Sequence, residues 1–481
     1  MRQILFSLLI VATTASAQTT VGPDVQQYIK VNYPTFALTH VRVIDGTGAP
    51  AREDQNVVIS GGKIQSIEPA SAGLPLNVKS FDYAGYSIFP GIVGMHDHLY
   101  YSAAIEEQAG ATGKFAPPGF LVTEIPFTAP RLYLAAGVTT MRTTGSIEPY
   151  TDLRVKHLID AGQMPGPKID ATAPYLEGKG TFIGQLQELN GPDDARRTVD
   201  YWSSEGNTSY KAYMFITRAE LQAAIETAHA HNLKLTGHLC SVTWPEAIQL
   251  GIDDLEHGPV FADTEFVVGK KPDECPQGGT TTWAKKDISS PEVQALIKNL
   301  ISHNVAVTST LPVFEASVPG RPPLQQRVLD AMAPFARDSY LTRRARIPLT
   351  SPAGALMKKE MEFELAFAKA GGLLLAGPDP TGNGGVLPGF GDQREIELLV
   401  EAGFTPVEAI HIATENGAKY LGRDDQIGTL APGKQADIVL VKGDPSKNIA
   451  DIENVETVFK DGVGYDSQKL IEAVRGQTGI R

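Results

Sequence analysis

From Phe36 onward, apolar and polar positions alternate in short runs: ALTHVRVIDGTG (37–48), QNVVISGGKIQSIEP (55–69) and a stretch near Ser80–Tyr83. A period of two predicts half-buried strands, and Asp45-Gly46 and Gly61-Gly62 punctuate them as hairpins. The same texture returns in IGTLAPGKQADIVLVKGD (427–444) and NVETVFKDGVG (454–464). Strands at both ends of a different middle predict a small composite β-sandwich domain, residues 36–88 joined by 423–466. Residues 18–35, with Pro23 and several polar positions, read as a poorly ordered lead-in.

The middle, residues 89–422, changes rhythm: short apolar runs alternate with stretches of helical period, the pattern of parallel strands and crossover helices. Candidate strands are Ile92–Met95, Val138–Arg142, Lys168–Ala171, Ser209–Tyr213, Lys234–Thr236, Asp253–Leu255, Val305–Thr308 and Leu373–Ala376. Eight such strands fit a (β/α)8 TIM barrel, an α/β fold whose chemistry sits at the C-terminal strand ends. Between them, 216–232 carries Leu221, Ala224, Ile225 and Ala228 on one helical face, and 405–422 opens with Thr405 as a cap and Pro406 in the first turn. Two insertions, 259–290 after the sixth strand and 312–352 after the seventh, lie where barrels build substrate selectivity.

The first strand ends in His96-Asp97-His98, and side chains two apart on an extended backbone share a side. Past the later strands come Lys211 in SYKAYM, His238 in LTGHL, His257 in LEHG and Asp379 in AGPDPTG. All would face one mouth of a barrel. Four imidazoles, a carboxylate and a lysine suit zinc, cobalt or manganese. An ammonium beside a dication is repelled, so Lys211 must be neutral, distant or chemically changed; a surface lysine is the plain alternative, as ordinary hydrogen-bonded histidines are for His238 and His257. Asp97 points away from its neighbours and reads as supporting structure, and Glu256 is placed to orient a ligand. His40, His157, His229, His231, His303 and His411 lie on predicted helices or away from strand ends and read as structural.

Composition narrows the functions. Of 481 residues 42% are hydrophobic and 20% charged, and the net charge of −13 with no Lys/Arg cluster argues against nucleic acid as a partner. Arg2, an apolar run from Ile4 to Ala12 and small residues to Ala17 predict a signal peptide over 1–17, hence a secreted or periplasmic product with no membrane span in the mature chain. Cys240 and Cys275 could pair in an oxidising compartment, although two buried thiols are the plainer reading.

These motifs together, with PGIVGMHDHL, AIHIATENGAKYLG and GTLAPGKQADIVLV, resemble the amidohydrolase superfamily over nearly the whole mature chain. The resemblance implies two divalent metal ions, zinc first. His96, His98 and Asp379 would hold the more buried ion and His238 and His257 the other, with Lys211, carboxylated by carbon dioxide to a carbamate, bridging both. A hydroxide between the ions would attack the substrate carbonyl, and Asp379 would move its proton to the leaving nitrogen. Tyr213 is a candidate oxyanion donor or a packing tyrosine, and Arg142 the candidate clamp for a substrate carboxylate, with Arg321, Arg343 or Arg344 as alternatives. The function implied is hydrolysis of an amide in a small-molecule substrate, a dipeptide or N-acyl amino acid, ochratoxin-like amides included. Cyclic amides, lactones or esters on the same centre, or a barrel that binds without catalysis, are the alternatives. Relatives are often multimeric, so a homo-oligomer is also implied.

Overall fold

The computed structural model describes residues 21–105, 119–381 and 385–479. The expected signal peptide lies outside them.

Nine strands from both ends of the chain hydrogen-bond into one mixed sheet. Its seam is Ile438–Lys442, which runs antiparallel to Tyr86–Pro90 on one side and to Val455–Lys460 on the other. The apolar run IVLV explains why the seam is stable: Ile438 and Leu440 enter a core with Phe36, Leu38 and Phe459, while Val439 and Val441 point oppositely into the central core. With both faces buried, the two chain ends form a single continuous sheet where two separate sheets of a sandwich were expected. Residues 21–35, the described part of the lead-in, are ordered. Ile29–Val31 pairs with Val463–Asp466, and Val25, Tyr28 and Val31 are buried.

The central region holds eight parallel strands. We label them β1 (Ile92–Asp97), β2 (Val138–Thr143), β3 (Lys168–Ala171), β4 (Ser209–Ala212), β5 (Lys234–Gly237), β6 (Asp254–Glu256), β7 (Ala306–Ser309) and β8 (Leu374–Ala376). They lie where the apolar runs predict. Strands β1 to β3 form one sheet and β4 to β8 a second, each in chain order. Parallel bridges Thr172–Ser209 and Leu176–Ala212 link β3 to β4, and Asp379 N–H donates to the His96 carbonyl (3.1 Å) just past β8. At that second junction a Cβ on Gly377 would lie 2.2 Å from the His96 nitrogen, so only glycine lets the backbones approach so closely. Helices follow the strands; that at Arg218–Ala230 opens on a capping box in which Thr217 and Glu220 satisfy each other's backbone N–H groups. The helical pattern over 405–422 is interrupted by a π-helical turn at Ile412–Asn416, where Asn416 donates to the Leu374 carbonyl. Among the described residues no helix is long and apolar enough to cross a membrane.

Two further features depart from the expectations. A hairpin, Tyr100–Ile105 with Gly119–Glu124, leaves the end of β1. Cys240, two residues past β5's His238, is disulfide-bonded to Cys275 in the first insertion, with Cα atoms 4.9 Å apart, which overturns the two-thiol reading. The insertion, which follows β6, folds over the segment after the neighbouring β5, and Thr264 and Lys270 donate to the Cys240 and Ser241 carbonyls (2.8 and 2.6 Å).

Candidate metal centre

The six residues read from the strand ends converge. His98 Nε2 lies 3.1 Å and His96 Nε2 3.6 Å from Asp379 Oδ1, and Lys211 Nζ is 3.1 Å from His96 Nε2. The His257 ring lies 4.6 Å from that of His96 and 4.3 Å from that of His238. Donor atoms of His96, His257 and Asp379 all fall within 4.8 Å of one another, the spacing of groups that share an ion. His257 (φ 72°) and Asp379 (φ 52°) both adopt left-handed backbone, which a non-glycine residue holds only where its surroundings enforce it.

Electrostatics suits a cation. Burial lowers the affinity of all four imidazoles for protons, His238 to about 3, with the Lys211 charge adding to the effect. Their nitrogen lone pairs are therefore free. Burial also lowers Lys211 to about 8. This lysine makes no ion pair with a carboxylate among the described residues, an uncomfortable position for a buried ammonium. Burial alone would raise Asp379, but the hydrogen bond with His98 and the charge of Lys211 oppose it and favour the ionised carboxylate. The buried His98 Nδ1 has no hydrogen-bond partner. Neutral imidazoles, an ionised carboxylate and an orphaned ring nitrogen together fit divalent metal.

Supporting residues orient the donors. Glu256 Oε2 takes His96 Nδ1 (2.7 Å) while its other oxygen accepts from Arg142 Nη2 (2.9 Å) and Thr236 Oγ1 (2.5 Å). Arg142 also binds Asp254 Oδ2 (2.8 Å) and the Met95 carbonyl (2.8 Å) and is 1% exposed, so it cannot reach a substrate carboxylate. Its partners belong to β1 and β6, so the guanidinium is held among the strands. Arg321 is committed to Glu315 and Glu401; with Arg343 and Arg344 it lines a pocket of about 380 Å³ containing none of the six donors. Asp97 is buried against Tyr133 and Asp392, away from its histidine neighbours. Tyr213 stands edge-on to His238, ring centres 5.1 Å apart.

Sequence reasoning missed several neighbours. Thr310, just past β7, pairs its hydroxyl with His257 Nδ1 (2.9 Å). Tyr100 stacks on His98 at 4.3 Å, and its hydroxyl meets that of Tyr175 at 2.7 Å. Phe314 faces His257 edge-on at 5.9 Å. For Tyr100 a signal existed, since it continues the His96, His98 alternation by two more residues.

A parallel α/β core with histidines and a carboxylate gathered past its strand ends is a donor set that could hold a metal ion. The model of the amidohydrolase family matches residues 382–464. Adenine deaminase 1 of Latilactobacillus sakei subsp. sakei (strain 23K) is 48% identical over 46 residues, 10% of this chain and 8% of that protein. Matches to curated relatives span only 8 to 15% of those proteins' lengths. Over the whole fold, a Xaa-Pro dipeptidase structure with methionine in its active site superposes with TM-score 0.64 at 20% identity, covering 90% of this chain and all of that one. The ochratoxinase of A. niger gives TM-score 0.64 at 17% identity, covering 92% and 99%. The family model thus covers residues 382–464, and the likeness to these structures over the whole chain is one of fold.

Proposed function

We propose that this protein is an exported, metal-dependent amidohydrolase cleaving the amide of a dipeptide or N-acyl amino acid. The observation that carries the reading is the convergence of His96, His98, Lys211, His238, His257 and Asp379 on one point. The two sheets, bridged at both junctions, are read as one (β/α)8 barrel with that point at its mouth. The similar structures include a Xaa-Pro dipeptidase and an ochratoxinase, which supports an amide as the bond cut. His96, His98, Lys211, His238, His257 and Asp379 would hold divalent ions, zinc first, which would supply Lewis acidity toward the carbonyl and acidify water.

The chain's own groups do the rest. Asp379, ionised and 9% exposed, takes a proton from the attacking water and passes it to the leaving nitrogen. Tyr213, beside His238, donates its hydroxyl to the oxygen that gains charge. Lys211 adds carbon dioxide: the ammonium loses one proton to free its lone pair, a nitrogen–carbon bond forms as one C=O π bond opens, a second proton leaves the nitrogen, and the buried cation becomes an anion that cations favour. Export is supported by the 1–17 pattern and the Cys240–Cys275 bridge. The expected domain limits 36–88, 89–422 and 423–466 stand as part of this reading, and the net charge of −13 favours a small-molecule substrate over nucleic acid.

The test is a panel of dipeptides and N-acyl amino acids offered to protein stripped by chelator and reloaded with zinc. Turnover that disappears on stripping, returns on reloading and falls at least about 10³-fold in Asp379→Asn supports the reading. Hydrolysis of lactones or esters alone would replace it.

A further inference from the structure

Phe261 belongs to the short helix Pro259–Ala262 directly after His257, and Phe314 to the helix Leu311–Glu315 directly after Thr310, the partner of His257. They come from separate insertions, yet their rings stack with centres 3.5 Å apart and planes within 4°. Phe314 in turn presents its ring at 82° to His257. Core phenylalanines such as Phe363 and Phe367 are fully buried, whereas Phe261 and Phe314 remain partly open.

The pair is held rigidly. Glu315, next to Phe314, is fully buried and gripped by Arg321 Nε (2.7 Å) and by Arg394 through Nη2 (2.7 Å) and Nε (3.0 Å). Phe261 packs on the main core, and Val260 N–H beside it donates to Glu360 (2.9 Å). A fixed hydrocarbon surface beside the metal donors has no polar atom to offer an amide or carboxylate. It gains free energy only by covering apolar area, most of all by stacking a ring.

We infer that Phe314 and Phe261 form a specificity wall that selects substrates carrying a flat apolar ring beside the bond to be cut. The inference rests on the amide-hydrolase reading for the word substrate, and on the wall's own geometry for the ring.

A binding measurement separates the two. By isothermal titration to the zinc-loaded protein, 3-phenylpropionate, which cannot be hydrolysed, is expected to bind about 10- to 100-fold more tightly than propionate. In Phe314→Ala the ratio is expected to fall to about threefold or less. If that variant lacks a cooperative melting transition, Phe314→Leu, which keeps bulk but loses the flat face, is read instead and is expected to lose most of the ratio. Equal affinities in the wild type, or a ratio unchanged in the variant, overturn the wall. Amide turnover without ring preference leaves the hydrolase standing and removes the wall; ring preference without turnover of any amide does the reverse.

Discussion

A histidine can give a lone pair to a metal only when neutral, and burial keeps His96, His98, His238 and His257 in that state. Glu256 connects this to the interior, since one carboxylate receives both His96 and Arg142. Arg142 is therefore a counter-charge for Asp254 and Glu256. Removing its charge while keeping its length, in Arg142→Met, leaves two buried carboxylates without a cation, which costs about 3–5 kcal/mol in denaturant unfolding at pH 7. The substrate KM of the folded variant should stay within about twofold of wild type. An arginine that gripped substrate would behave oppositely, with KM raised about tenfold or more and stability nearly unchanged.

At the scale of elements, what the sequence revealed and what it hid have physical causes. Strands β1 to β8 were legible because parallel strands covered on both faces appear as short apolar runs between turns. Reading just past those runs, with the family resemblance favouring Lys211 over a surface lysine, singled out His96, His98, Lys211, His238, His257 and Asp379, side chains that the structure brings together. The same rule misplaced Arg142, because its guanidinium is taken by Asp254 and Glu256 of β6, partners more than a hundred residues away that no local pattern announces. Thr310 and Phe314 were hidden since their roles come from contact with His257, across a parallel pairing of β6 with β7 whose loops no local pattern fixes. The Cys240–Cys275 pairing was left open by the sequence, since a separation of 35 residues carries no register. It closes the first insertion onto β5. Replacing both cysteines by serine should lower stability by about 4 kcal/mol, measured as a lower melting temperature, in the loop-entropy account of a crosslink of this length. A double variant melting at the wild-type temperature would show that the insertion is held by its hydrogen bonds alone.

Across the whole molecule, the two chain ends meet in one sheet whose seam strand, Ile438–Lys442, buries alternate side chains in two different cores. The apolar run in ADIVLV announced a strand, and only the pairing shows that it joins the terminal sheet to the body that carries the six donors. Asn416, in the π-helical turn before it, reaches back to the β8 carbonyl at Leu374, so the closing segment is also tied to the strand that leads to Asp379. This molecule is thus built to fix donors from distant parts of the chain at one point. The most direct measurement of that claim is an anomalous difference map at the zinc edge from crystals of the zinc-loaded protein. The account predicts peaks among His96, His98, Lys211, His238, His257 and Asp379, with Arg142 still bound to Glu256. Zinc peaks elsewhere, with these six side chains free of metal, would contradict it.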